Sequence, residues 1–189
     1  PEVEGTRGQI DGKVHVLSTV EEVERLQVGD PRRLAYVTQT TLSVDDTREV
    51  IEALKRRFPG IVGPELKDIC YATQNRQNAV KELAGEIDLL LVVGSQNSSN
   101  SNRLRELGLR SGLPAHLIDA AEEIDPAWFR PALRIGLTAG ASAPESLVQQ
   151  VLARLRELGV ESVREMEGER EAVTFKLPDE LTPGQIARA

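Results

Sequence analysis

"DLLLVVGSQNSSNSNRLREL", residues 88–107, is the stretch on which the fold turns. A run of branched apolar side chains stops at Gly94, a polar segment follows, and a helical pattern starts within it. A short strand that is apolar at every position suits a parallel sheet covered on both faces. From Ser95 to Asn102 the loop holds only hydroxyls and amides, with no lysine, histidine or acid. Such a segment is either a solvated turn that caps the next helix or a neutral, hydroxyl-lined cradle for an anion.

The same grammar extends outward. Upstream, a helix covers 74–84. Downstream come a strand at "AHLID" (115–119), a short helix near "PAWF" (126–129), a strand at "RIGLTAG" (134–140) and a helix over 144–158. Nearer the start, "KVHVLS" (13–18) alternates like a strand and "VEEVERL" (20–26) reads as a short helix. "RLAYVTQ" (33–39) reads as a second strand. Ser43 opens a longer helix: Asp46 three residues later matches a capping box, and Pro59-Gly60 stops it. Alternating strands and helices indicate an α/β fold built on mostly parallel sheets. We expect two small lobes flanked by helices, with boundaries at 1–67 and 68–159. Residues 160–189 would form an extension strapped over the body, including a strand at "AVTFKL" (172–177).

Composition narrows the function. The chain has 189 residues, 40% hydrophobic and 28% charged, enough to bury a real core. A net charge of -7 argues against a nucleic-acid or membrane-surface binder, although a locally neutral pocket for a small anion is compatible with it. Three Phe, two Tyr and one Trp leave little for base stacking. No apolar run approaches the roughly 20 residues of a membrane span. One cysteine permits no intrachain disulfide and fits a reducing cytoplasm. Opening on "PEVEG", the chain reads like the interior of a longer protein.

Three strand ends share one chemistry: "VTQTTLS" (37–43), "VVGSQNSSN" (92–100) and "LTAGASAPE" (137–145). Each runs from strand through small hydroxyl or glycine residues into a helix. In parallel sheets, ligands bind beyond the carboxyl ends of strands, where helix N-termini offer amide donors. Three such ends suit a phosphate or diphosphate held by neutral hydrogen bonds. No G-K-[ST] of a Walker loop is present, nor a G-x-G-x-x-G fingerprint. Capping alone also accounts for any one of these loops. Ser142 with Glu145 is itself a capping box, and Ser98, Ser99 or Asn100 caps a helix beginning at Ser101. Cys70 precedes a helix and, alone, cannot hold a cluster, which normally takes three or four cysteines. His15 and His116 sit inside strand patterns and read as structural. Glu2 and Glu4 lie in what reads as an N-terminal loop.

Five motifs carry a resemblance: "PEVEGTRGQ" (1–9), "TQTTLSVDDT" (38–47), "DICYATQNRQ" (68–77), "VVGSQNSSNSNRL" (92–104) and "TAGASAPE" (138–145). In this order they resemble the LytB-type 4-hydroxy-3-methylbut-2-enyl diphosphate reductases of the methylerythritol phosphate pathway. The resemblance implies an oxidoreductase of isoprenoid biosynthesis. Three α/β lobes would surround a [4Fe-4S] cluster, with one cysteine from each lobe. The reaction implied is reductive dehydroxylation to isopentenyl and dimethylallyl diphosphate, fed by a redox protein such as ferredoxin or flavodoxin. By motif, Cys70 matches a cluster ligand, and Ser98, Ser99, Asn100 and Ser142 match diphosphate-binding residues. Glu2 matches the acid that supplies protons to the leaving hydroxyl, and Thr40 the hydroxyl beside it. Gln39 and Thr73 fall next to the pocket.

The departures are equally concrete. An N-terminal lobe, two cluster cysteines and the family's diphosphate-binding histidines have no counterpart here. The expectation is that this chain alone is inactive and retains no stable cluster, with apolar surface exposed toward the missing lobe. The alternatives are a non-redox diphosphate-binding module, one chain of a split enzyme, or a fold whose loops are only caps.

Overall fold

In the computed structural model, described for residues 2–64, 70–129 and 133–168, three short strands form one all-parallel sheet. They are β1 (Leu89–Val93), β2 (Ala115–Ile118) and β3 (Ile135–Ala139), in the order β2-β1-β3. Val92 of β1 stands opposite Leu117 on one side and Thr138 on the other. All five β1 side chains are buried, alternating between two cores. Leu90 and Val92 pack with Val80 of α4 (Tyr71–Leu83) and with Leu104 and Leu107 of α5 (Ser99–Arg110). Leu89, Leu91 and Val93 pack against Val151 and Leu155 of α6 (Glu145–Glu157). Each fully buried aliphatic side chain stabilises the fold by about 1.5–3 kcal/mol relative to exposure, an upper estimate. The apolar run therefore reads as it does because helices cover both faces.

The other half is held by helices. Helix α1 spans Glu2–Gly8, α2 Val20–Arg25 and α3 Val44–Arg57. Thr19 and Glu22 form a reciprocal capping box on α2. Val23 of α2 packs with Ala53, Leu54 and Phe58 from the α3 region. On α3, Ser43 Oγ accepts from the Asp46 N–H at 3.5 Å, which is the forward half of the expected box. The Asp46 carboxylate meets Arg103 and Arg110 of α5 instead.

Several expectations are corrected. Residues 13–18 form no strand, and among the described residues 33–39 contribute a single parallel bridge between Ala35 and Val62. Tyr36 N–H donates to Val62 O (2.8 Å) and Val62 N–H to Leu34 O (3.1 Å), which is the bridge found among the described residues. Alternation marks a half-buried extended segment, but a strand needs a neighbour to complete its ladder. Leu17 and Tyr36 pack inward against the α2–α3 core, while Val16 and Val37 remain exposed. Residues 2–8 are helical rather than a loop. The expected strand at 172–177 lies outside the described residues. His15 lies in the irregular segment before α2. His116, on the edge strand β2, stacks on Trp128 with ring centroids 3.8 Å apart. Burial pushes its pKa below the usual imidazole value.

Candidate functional site

Helix α5 leaves β1 toward one face of the sheet, and α6 leaves β3 toward the other. The crevice beyond the carboxyl ends of β1 and β3 is therefore the topological switch point, where open α/β sheets bind ligands. Gly94 closes β1, its N–H donating to Ile118 O (2.9 Å). Gly140 closes β3, its N–H donating to Val93 O (2.8 Å). Ser101 of α5 is wedged between them: a Cβ on either glycine would collide with its hydroxyl. The two glycines let the first turn of α5 sit directly on the strand ends.

That first turn is the polar stretch quoted at the outset. Ser98 is the N-cap, its Oγ accepting from Ser101 N–H at 3.3 Å. Asn102 Nδ2 donates back to Gln96 O (2.7 Å) and Ser98 O (3.0 Å), closing the loop on the helix end. Helix ends present N–H donors and partial positive charge. Asn100 is only 6% exposed, yet neither Oδ1 nor Nδ2 has a partner among the described residues. Its amide nitrogen lies 3.7 Å from where a Gly140 Cβ would stand. Leaving a buried polar group unpaired costs about 1–3 kcal/mol, so such groups call for an explanation, a ligand among them.

The β3–α6 loop completes this edge. Helix α6 begins at Glu145 with Pro144 as its cap residue, and no side chain caps it. Ser142 therefore does not form the capping box with Glu145. Pro144 lacks an N–H to donate and shifts the helix start past the serine. Ser142 is exposed in the turn after Gly140.

A second group of residues meets at the start of α4. Cys70 is the exposed N-cap residue of α4, with no side-chain capping bond, and its N–H donates to Thr40 O at 3.3 Å. Thr40 is exposed, while Thr73 is buried one turn into the helix. Gln39, Thr41 and Leu42 share a cleft of about 320 Å³ with Ser99, Asn102 and Arg103, so the Thr40 loop and the α5 N-terminus face each other. A larger depression of about 440 Å³ between residues 13–17 and α2 is remote in sequence from all of these loops. Glu2 is the first residue of α1.

Nearby cations are already engaged. Arg103 and Arg110 pair with Asp46, and Lys81 Nζ meets Asp45 Oδ2 at 2.8 Å. The hydrogen bond from Arg110 holds the Asp46 carboxyl below its ordinary pKa, and that from Lys81 does the same for Asp45. The α5 N-terminus thus relies on hydroxyl, amide and backbone donors. The chain's one thiol does not suffice for an iron–sulfur cluster. Among the described residues, no group of three or more His, Cys, Asp or Glu side chains is placed to hold a metal. No described helix is long and apolar enough to cross a membrane.

Two features escaped the sequence reading. Gln77 is completely buried and reaches the backbone of the Thr40 loop. Its spacing from Thr73 and Val80 places an amide on the buried face of α4, which is the visible signal. Ser101 read only as a helix-start residue, whereas it is the side chain seated against both glycines.

Residues 1–156 match the family described as LytB protein. The 4-hydroxy-3-methylbut-2-enyl diphosphate reductase of Bordetella pertussis (strain Tohama I) is 65% identical over 182 residues, which cover 96% of this chain and 56% of that protein. The reductase of Hahella chejuensis is 62% identical over 185 residues, covering 96% of this chain and 58% of its own. The solved structure of E-1-hydroxy-2-methyl-but-2-enyl-4-diphosphate reductase from Plasmodium falciparum aligns with a TM-score of 0.72 at 34% identity. That alignment covers 87% of this chain and 52% of the other. The chain spans somewhat more than half the length of the curated relatives it matches.

Proposed function

The chain belongs to the LytB protein family, and from that premise we propose that it supplies the diphosphate-holding part of a 4-hydroxy-3-methylbut-2-enyl diphosphate reductase. The overall conversion takes two electrons and two protons, replaces the C–OH of the allylic alcohol by C–H, and releases water. Its products are isopentenyl and dimethylallyl diphosphate. In this reading residues 1–67 and 68–159 are two of three lobes, and 160–189 is an extension. Ser98, Ser99, Asn100 and Ser142 donate to the diphosphate, with the α5 dipole opposing its charge. Thr40 hydrogen-bonds toward the substrate hydroxyl, and Glu2 is the proton source. Cys70 is one thiolate ligand of a [4Fe-4S] cluster. The chain's own residues do not complete that group, since it holds one cysteine. The reductant would be a redox protein of the ferredoxin or flavodoxin class, and the protein a cytoplasmic one.

The observation that carries this reading is Asn100, whose buried amide has both ends unpaired at the helix terminus beyond β1 and β3. The test is titration of the chain with isopentenyl diphosphate, followed by amide shifts. Saturable shifts centred on Ser98–Asn100 and Gly140–Ser142, reversed by inorganic diphosphate, are expected. Shifts spread over exposed arginines instead would remove the cradle. The single thiol also supports a requirement for the polypeptide that the relatives possess and this chain does not cover. The chain alone should therefore retain no stoichiometric iron and sulfide after anaerobic reconstitution and show no reductase turnover.

A further inference from the structure

Three consecutive carbonyls of the loop that carries Thr40 are taken up by one helix. Thr40 O accepts from Cys70 N–H (3.3 Å), while Thr41 O and Leu42 O accept from Gln77 Nε2 at 3.5 and 3.3 Å. Cys70 and Gln77 stand seven residues apart, two turns along the same face of α4. Gln77 is 0% exposed and sits one turn before Val80, which belongs to the core beneath the sheet. Burying an amide costs free energy that its hydrogen bonds must offset; among the described residues Oε1 has no partner, so the bonds of Nε2 carry this alone. Here they bind a loop from 35–36 residues away onto the helix whose first turn bears the exposed thiol.

We propose that Gln77 is a positioning residue: it clamps the 40–42 loop to α4, so that the Thr40 hydroxyl and the Cys70 thiol keep one fixed relation. It touches neither substrate nor cofactor and acts through Thr40. The consequence for ligand choice rests on the reading given above, in which Thr40 faces the hydroxyl end of the substrate and the α5 terminus holds the diphosphate. Losing the clamp should then blur recognition of the hydroxyl while sparing the diphosphate.

The experiment compares Gln77→Leu and Gln77→Met, close in volume and lacking the donor, with the unaltered chain. The Cys70 amide should exchange with solvent at least about tenfold faster in both variants, while the amides of Leu89–Val93 are unchanged. Unchanged Cys70 protection in folded variants overturns the clamp. The second reading is the ratio of affinities for 4-hydroxy-3-methylbut-2-enyl diphosphate and isopentenyl diphosphate. The unaltered chain should prefer the hydroxylated ligand about fivefold or more, the worth of one net hydrogen bond. Both Gln77 variants and Thr40→Val should bring the ratio close to one, and Gln77→Leu combined with Thr40→Val should go no further. An equal loss of both ligands in a folded variant makes Gln77 merely structural and overturns the proposal. If the unaltered chain binds neither ligand, the cradle reading fails on its own, and the exchange data alone decide the clamp. If both variants fail to fold, the unaltered chain decides it. Gln77 side-chain amide protons exchanging as fast as those of exposed Gln96 refute the clamp, and slow exchange upholds it.

Discussion

Arg110 Nη1, in the last turn of α5, donates to Asp46 Oδ2, in the first turn of α3, at 2.9 Å. Arg103 reaches the same carboxylate from one face of the helix lower down, so the two halves of the chain are joined by charge at the rim of the cleft. The Arg110 hydrogen bond depresses the Asp46 pKa below its ordinary 3.8, with burial opposing the shift. A depressed carboxylate contributes stability above its unfolded-state pKa and loses it as pH falls through the folded value. Asp46→Asn should therefore destabilise the chain at neutral pH by about 1 kcal/mol, because the pair is part-exposed and screened. The difference should vanish once the pH is below the folded Asp46 pKa. Urea melts across that range, with the two curves converging on the acid side, check it.

The seat of Ser101 predicts a coupling of definite sign. Gly140→Ala drives a methyl into the Ser101 hydroxyl and should cost about 1–3 kcal/mol, as overpacking does. With Ser101→Ala that oxygen is gone, and the nearest remaining atom, the residue 101 Cβ, stands 3.5 Å away at ordinary contact. The double variant should recover most of the loss, giving a coupling energy of about 1 kcal/mol or more in a double-mutant cycle. Additive losses would mean that α5 does not rest on the strand ends as described.

Asn100 predicts a stability change in the opposite sense to most buried polar residues. With both amide ends unpaired, truncation removes a desolvation cost of about 1–3 kcal/mol and loses no hydrogen bond. Asn100→Ala should leave thermal stability unchanged or raise it. It should at the same time weaken diphosphate binding. A clear drop in the melting temperature would show that the amide has a structural partner after all.

Much of this was legible in the chain from 70 to 158, where apolar runs and helical periodicity are regular. Each strand and helix there lies within a few residues of its expected place. Leu89–Val93 announces itself because both faces are covered, and Ser98 because N-caps have a local signature. Residues 13–18 misled because alternation reports which side chains turn inward, not whether a neighbouring strand exists. Ser142 and Glu145 misled because Pro144 moves the helix start beyond the serine. Gln77 with Leu42, and Asp46 with Arg103, are contacts across 35 and 57 positions, and no local pattern encodes them. The clamp and the rim appear only when the helices are packed.

If the α5 terminus is a neutral cradle for a diphosphate, Asn100 is its buried donor. The most direct measurement is calorimetric titration of isopentenyl diphosphate into the folded chain and into Asn100→Asp, which keeps the shape but places a carboxylate at the helix end. Saturable binding by the unaltered chain and a loss of at least about tenfold in the variant are expected, from one lost donor and a like charge. Equal affinity in the two proteins, with both folded, would contradict it.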